Sequence, residues 1–359
     1  MLETLLERTG DGLGLLIAGA LVGALFGAAA QHSRFCLRAA TVEVAEKQFG
    51  PRLSVWLIAF STGVFCVQAG ISAGWLDVSE ARQLAARGSL SGAIIGGLMF
   101  GAGMVLARGC ASRLLVLSAT GNLRAIVTGL VLTLVAQASL RGVLTPAREA
   151  LAGLWVIEGG ASRDLLSHLG LSSVAAASAA VVILLIGGAL AQRGGVPIGR
   201  AIAAGLVGAA VALGWILTYM IAQTSFDVVP LTSVTFTGPS TDTLMGLVNS
   251  TALPLGFGIG LVPGVFLGAG ACALITKEAR IERFDADTPM EKYLLGAVLM
   301  GFGSMLAGGC AVGAGMSGGA VFSLTAWVAV FAMWMGAMAM HRFLTRGSFR
   351  FAVPWRVSP

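Results

Sequence analysis

Charged residues are scarce in this chain of 359 residues. Asp, Glu, Lys and Arg together make up 11% of it and hydrophobic residues 56%, whereas a soluble domain would carry roughly a quarter charged residues. This scarcity excludes an ordinary soluble globular protein and predicts a chain embedded in a membrane. The net charge of +6 indicates no nucleic-acid partner, because it follows from basic residues in connections that we predict to be cytoplasmic.

Other absences narrow the chemistry further. The chain has three His and five Cys, and no two cysteines form a Cys-x-x-Cys pair, so neither a metal site nor a dithiol redox motif is indicated. We find no cofactor motif and expect no cofactor. No acidic residue falls at the centre of a predicted span, which leaves a proton relay without a carboxylate. The N-terminus has no basic region followed by a small-residue cleavage site, so we interpret it as an amphipathic lead-in.

Long apolar runs are what the chain does contain. A membrane-spanning helix needs about 20 residues, and the runs predict an all-α polytopic membrane protein with about nine transmembrane helices. Two Gly-rich pieces, 110–122 and 310–321, are too short to span and are predicted re-entrant half-helices, as is the amphipathic segment 31–48. The nine predicted spans are about 12–30, 53–72, 89–108, 124–144, 171–192, 200–222, 251–275, 291–308 and 322–341.

Basic residues set the predicted orientation, because cytoplasmic connections are enriched in Lys and Arg. The connections 31–52 and 276–292 and the tail 342–359 each hold four basic residues, whereas 223–250 holds two Asp and neither Lys nor Arg. With nine spans, this pattern places the N-terminus outside and the C-terminus in the cytoplasm.

Two stretches of the chain nearly repeat one another. Residues 101–110 read Gly-Ala-Gly-Met-Val-Leu-Ala-Arg-Gly-Cys, and 301–310 read Gly-Phe-Gly-Ser-Met-Leu-Ala-Gly-Gly-Cys, with six identities at an offset of 200 positions. They end the third and the eighth predicted spans, which cross the membrane in opposite directions, so the repeat is expected to be inverted. Within one transmembrane domain, 1–359, we predict repeat 1 at about 12–144, a linking helix at about 171–192, repeat 2 at about 200–341 and a short basic tail at 342–359. A transport site is expected where such repeats meet.

The two Gly-Cys ends predict an anion site. Glycine lets backbone approach a ligand closely, and a helix that restarts after the cysteine presents unpaired N–H groups and a partial positive charge. A thiol is a weak, soft donor that suits a polarisable sulfur. The predicted substrate-binding residues are Cys110 and Cys310 with their neighbours Gly109, Ala111, Gly309 and Ala311, and Cys36 is a third candidate.

Three cysteine-bearing blocks resemble the YeeE/YedE family of sulfur-compound transporters. They are His-Ser-Arg-Phe-Cys-Leu-Arg at 32–38, Ala-Arg-Gly-Cys-Ala-Ser-Arg at 107–113 and Ala-Gly-Gly-Cys-Ala-Val-Gly at 307–313. A further block of the resemblance is Thr-Phe-Thr-Gly-Pro at 235–239. The resemblance runs from about 12 to 341. It implies an hourglass-shaped protein, with helix breaks from both faces, that takes up thiosulfate across the bacterial inner membrane.

The same resemblance implies roles for three of the five cysteines. Cys36, Cys110 and Cys310 match the functional cysteines of the family, whose thiols pass the ion inward through contacts with its terminal sulfur. Cys66 and Cys272 match no family motif and are expected to be structural. Many members accompany a small cytoplasmic sulfur-carrier protein, and the tail 342–359 is too short to be that domain.

Two alternatives stay open on the sequence. The first alternative is a transporter whose cargo is another small sulfur- or selenium-containing anion. The second is a membrane thiol oxidoreductase, which needs two cysteine Cα atoms within about 7 Å and an electron carrier. Arg108 and Arg113 flank Cys110, but the second copy has Gly308 and Gly313 there. We therefore interpret these arginines as cytoplasmic anchors.

Overall fold

The computed structural model describes residues 10–249, 255–283 and 290–346, and these form an almost entirely helical molecule. Most of the N-terminal lead-in, the first residues of the predicted span 251–275 and most of the basic tail lie outside the described residues. The helices, in chain order, are α1 (Asp11–Ser33), α2 (Leu37–Ala45), α3 (Pro51–Ser72), α4 (Arg82–Ala85), α5 (Leu90–Leu106), α6 (Ala111–Ala119), α7 (Leu123–Arg141), α8 (Thr145–Ala152), α9 (Leu165–Leu169), α10 (Ser173–Arg193), α11 (Ile198–Thr224), α12 (Thr237–Asn249), α13 (Phe257–Ile275), α14 (Met290–Leu306) and α15 (Leu324–Arg346).

Three shorter elements complete the described part. Strands β1 (Gly88–Ser89) and β2 (Val156–Ile157) pair antiparallel. A 3₁₀ turn covers Gly160–Arg163, and a π-helix covers Gly313–Gly318.

Most of the predicted spans correspond to long apolar helices. Within the described ranges, eight helical segments are long and apolar enough to cross a membrane, and they contain α1, α3, α5, α7, α10, α11, α13 and α15. The remaining predicted span, 291–308, is α14, whose 17 residues are at the lower end of the length that crosses a bilayer. The prediction of an all-α polytopic membrane protein is confirmed.

Helices α5 and α14, which lead into the two Gly-Cys segments, touch backbone to backbone. A Cβ atom on Gly103 would lie 2.6 Å from the Gly296 carbonyl oxygen, and one on Gly296 would lie 2.7 Å from that of Gly103. A Cβ atom on Gly303 would likewise lie 2.7 Å from the Gly96 carbonyl oxygen. Only glycine permits this approach, and in lipid such close packing of small residues is what drives helices together. The ends of α5 and α14 are thereby fixed relative to each other.

Helix contacts in the first half of the chain have counterparts in the second half. Helix α1 packs on α13 and α11 packs on α3, while α5 packs on α15 and α14 packs on α7. At matching positions, Gly101 faces the Met333 carbonyl and Gly301 faces the Leu132 carbonyl. Helices α5 and α14, which lead into the two Gly-Cys ends, therefore each pack against one further long helix, α15 and α7 respectively.

Helix α10, the predicted linking helix, packs against α3 on one side. It exposes large apolar side chains on the other, including Val182, Leu185 and Ile186, as a helix that faces lipid does. An apolar cavity of about 170 Å³ lies between α3, α10 and the start of α15, with Phe60 and Trp327 in its wall. None of its lining residues is a cysteine or carries charge, so this cavity offers nothing that would recognise an anion.

Candidate functional site

The three motif cysteines each begin a new helical segment after a break in the chain. Cys36 is the N-cap of α2, Cys110 is the N-cap of α6, and Cys310 lies just ahead of the π-helix. The residue two positions before each cysteine has a positive φ, which is 56° at Arg34, 55° at Arg108 and 78° at Gly308. The same left-handed break therefore occurs three times, and at Cys36 it forms without any glycine.

The hydrogen bonds of the three breaks also match. The N–H of the residue before each cysteine donates to the carbonyl five residues earlier and closes the end of the preceding helix. These bonds join Phe35 to Ala30 (3.2 Å), Gly109 to Met104 (3.1 Å) and Gly309 to Ser304 (2.9 Å). The N–H groups of Ala111 and Ala311 make no hydrogen bond to another described residue, as is usual for the first N–H groups of a helix. Among the predicted site residues, Gly109 and Gly309 donate the bond that closes the preceding helix, as Phe35 does at the third break, and the alanines keep free N–H groups.

Each motif sulfur lies near the backbone N–H of the residue three positions further on. That residue is Ala39 for Cys36 and Arg113 for Cys110. For Cys310 it is Gly313, whose N–H donates to the sulfur at 3.5 Å. Because sulfur is a weak acceptor, the main effect is to hold each thiol at the positive end of the helical segment that follows.

Cys36 and Cys110 lie together and form what we call the thiol pair. Their side chains lie next to each other, and Ser112 Oγ lies 3.2 Å from the Cys110 sulfur. Cys110 is 1% exposed, whereas Cys36 is partly exposed. All five cysteines are free thiols. Nowhere in the described ranges do three or more His, Cys, Asp and Glu side chains meet as a metal site.

Cys310 lies in a different environment. It is also 1% exposed, and no hydrogen bond joins it to the thiol pair among the described residues. Thr235 lies beside the π-helix, where a Cβ atom on Gly313 would be 2.9 Å from the Thr235 Cβ. Ser317 Oγ donates to the Val234 carbonyl at 2.5 Å. The structure therefore brings two of the three predicted cysteines together and gives the third a packed, uncharged surrounding.

Three aromatic rings pack together near the cysteine-bearing segments. Phe26 of α1 is fully buried, with its ring centre 6.5 Å from that of Phe35 and 5.1 Å from that of Phe236. Phe35 directly precedes Cys36, and Phe236 precedes α12 next to Thr235. The three rings therefore join the residue before Cys36 to the residue after Thr235.

A chain of polar side chains leads away from the thiol pair. Arg113 Nη1 donates to Gln31 Oε1 at 3.4 Å, and Gln31 Nε2 donates to Glu278 Oε2 at 2.9 Å. Glu278 Oε1 accepts from Arg34 Nη2 at 3.2 Å. Arg113 is close enough to Cys36 and Cys110 to interact electrostatically with both sulfurs.

The sequence predicted only part of this network. The interpretation of Arg113 as a cytoplasmic anchor is incomplete, because its side chain turns toward the thiol pair. Gln31 could have been predicted as a site residue, because it is an isolated amide directly before the block 32–38. Glu278 could not, because only the packing of α13 beside α1 brings it near Gln31.

The comparisons with known proteins agree with the family resemblance of the sequence blocks. A family model described as sulphur transport matches residues 32–339. The thiosulfate transporter TsuA of Escherichia coli (strain K12) is 26% identical over 349 residues, which covers 90% of this chain and 92% of the relative. The thiosulfate transporter TsuA of Spirochaeta thermophila is 27% identical over 346 residues, which covers 92% of this chain and 100% of the relative.

The resemblance to YeeE/YedE transporters is thus confirmed over most of the chain. The prediction of a transporter and not an enzyme is also confirmed, since the relatives are named as transporters. With its long apolar helices, this chain is a multi-pass membrane protein that belongs to the sulphur transport family.

Proposed function

We propose that this chain takes up thiosulfate across the bacterial inner membrane through a path lined by Cys36, Cys110 and Cys310. The observation that carries the proposal is the threefold occurrence of one helix break with a cysteine sulfur at the start of the next helical segment. The two TsuA relatives are named as thiosulfate transporters, which supports this cargo.

The chemistry of the breaks suits the two ends of thiosulfate. Its sulfonate oxygens are hard acceptors that match the free N–H groups of Ala111 and Ala311, at the positive ends of helical segments. Its terminal sulfur is soft and matches the S–H groups. A dianion that leaves water needs such replacement contacts, because burying an unpaired charge is costly. Sulfate lacks the terminal sulfur, so the thiols favour thiosulfate over it.

We further propose that the path is formed by two inverted repeats, at about 12–144 and 200–341. The matching contacts of α5 with α15 and of α14 with α7 support this arrangement. Cys310 follows Cys110 by 200 positions, whereas the start of α15 at Leu324 follows the start of α7 at Leu123 by 201. A π-helix holds one residue more per hydrogen-bonded turn than an α-helix, so the π-helix accounts for the shift.

The proposed orientation keeps the N-terminus outside and the C-terminus in the cytoplasm. The thiol pair is then at the cytoplasmic end, because Arg34, Arg38 and Glu278 cluster around it beside connections rich in Lys and Arg. Cys310 is nearer the outside and meets the ion first. A separate cytoplasmic sulfur-carrier protein stays a prediction from the family resemblance, and it would receive the ion at the thiol pair.

Uptake of labelled thiosulfate tests the proposal in cells that lack their own sulfate and thiosulfate importers. We expect the parent chain to restore uptake and Cys36→Ala, Cys110→Ala and Cys310→Ala to lose it at equal membrane expression. Cys66→Ala is the matched control and should keep the parental rate. Parental uptake by Cys110→Ala would contradict the thiol-lined path. If the parent carries another sulfur or selenium anion but not thiosulfate, the proposed cargo is wrong.

A further inference from the structure

One arginine beside the thiol pair is held by a neutral partner. The Arg113 guanidinium donates to the Gln31 amide oxygen at 3.4 Å, and it has no ion pair with a described carboxylate. Gln31 itself is 6% exposed, so the contact is inside the molecule. The Arg113 charge is therefore positioned without being neutralised by its hydrogen-bond partner.

The nearest carboxylate is already engaged elsewhere. One Glu278 oxygen accepts from Gln31 and the other from Arg34. Arg38, a second guanidinium near Cys36, has a buried Nε without a hydrogen-bond partner among the described residues. The guanidinium groups of Arg38 and Arg113 thus face the thiol pair, whereas the Glu278 carboxylate forms its ion pair with Arg34. This leaves an excess of positive charge that an anion would balance.

We propose that Arg113 binds the sulfonate oxygens of the transported anion while the terminal sulfur of the anion contacts the thiol pair. This inference rests on the proposed function and adds a binding residue to it. The planar fork of a guanidinium matches two oxygens of a sulfonate group as it matches a carboxylate or phosphate. Gln31 is a positioning residue that aims the fork, and its neutral amide leaves the charge for the ligand.

The second Gly-Cys region supports the assignment by contrast. The residue 200 positions after Arg113 is Gly313, and Thr235 occupies the space beside it. Guanidinium binding of the oxygens is then available at the thiol pair and not at Cys310. The anion should consequently be held more tightly at the thiol pair than at Cys310.

The test is thiosulfate uptake as a function of concentration in the cells described above. The variants are Arg113→Gln and Arg113→Lys, with Arg124→Gln as control, since Arg124 lies over the Tyr293 ring and outside the network. A hydrogen bond to a charged group contributes enough for Arg113→Gln to raise KM about tenfold or more, with a smaller change in maximal rate. Arg113→Lys should recover part of the loss, and Arg124→Gln should match the parent. A KM within about twofold of the parent for Arg113→Gln would overturn the assignment.

A second pair of variants keeps the test informative if Arg113→Gln does not fold. Gln31→Glu places a carboxylate against Arg113 and should raise KM about tenfold, whereas Gln31→Met removes the hydrogen bond without adding charge and should raise KM less. Equal effects of the two would overturn the charge argument. If the parent transports thiosulfate and Cys110→Ala does not, unchanged KM in these variants refutes only the Arg113 subsite. If the parent transports no thiosulfate, the proposed function fails as well.

Discussion

The first Gly-Cys region is basic and the second is neutral, although their backbones break in the same way. The residues 200 positions after Arg38, Arg108 and Arg113 are Gly238, Gly308 and Gly313. In the first region a regular helix, α6, follows the cysteine, and in the second a π-helix does. The shared backbone fixes where the sulfur and the free N–H groups lie. The difference in charge gives the two ends of the proposed path different affinities for an anion.

The largest effect should come from breaking what the two regions share. We expect Gly103→Val and Gly303→Val each to prevent folding, because the new side chain would enter the facing backbone and cost more than about 3 kcal/mol. Membrane abundance and size-exclusion profiles in detergent measure this. Gly129→Ala is the control, because its Cβ atom would meet nothing within 4 Å. Normal folding of one Val variant would show that the two regions are not packed alike.

A smaller loss is expected from the ring of Phe26, which packs on Phe35 and Phe236. Phe26→Ala removes a fully buried ring and should lower the free energy of unfolding by about 3–5 kcal/mol. Phe26→Leu keeps most of the volume and should cost less than about 1.5 kcal/mol. Unfolding of the purified protein by sodium dodecyl sulfate compares the two. Equal losses would mean that the ring itself does not fill the space between Phe35 and Phe236.

Gly313, which lies 200 positions after Arg113, should tolerate a side chain poorly. A Cβ atom on Gly313 would lie 2.9 Å from the Thr235 Cβ, so Gly313→Ala should lower the free energy of unfolding by about 1–3 kcal/mol. Thr235→Ala removes the hydroxyl and methyl groups at this contact and should recover part of the loss in the double variant. The same unfolding assay measures the coupling. Additive effects would argue against a direct contact between these residues.

The smallest effect tests the left-handed break. Gly308 has φ of 78°, so Gly308→Ala should cost about 1–2 kcal/mol, the usual penalty for a side chain in this conformation. Gly238→Ala is the control, because Gly238 has open space and no positive φ. The free energies of unfolding of both variants are compared in the same sodium dodecyl sulfate assay. A Gly308→Ala variant as stable as the control would mean that the break relaxes around a side chain.

Local patterns in the sequence were sufficient for the fold class and the motifs. The low charge and the long apolar runs predicted the helical membrane fold, and the three blocks identified the family. The break at Cys36 could not be predicted from a Gly-Cys pair, because Phe35 stands where the other two breaks have a glycine. The left-handed conformation of Arg34 and Arg108 could not be predicted either, because a non-glycine residue takes it only when its surroundings outweigh the cost. The one-residue shift at the π-helix was also missed, because the repeat was matched only up to Cys310.

The sequence by itself determined the membrane class, the helical spans, the two Gly-Cys ends and the family, since each depends on composition or on residues close together in the chain. Only the tertiary structure decided that Cys36 lies beside Cys110, and that Gln31 connects Glu278 with Arg113. These contacts join residues far apart in the chain. They depend on which helices touch, and glycine-mediated packing of α1 on α13 and of α5 on α14 settles that.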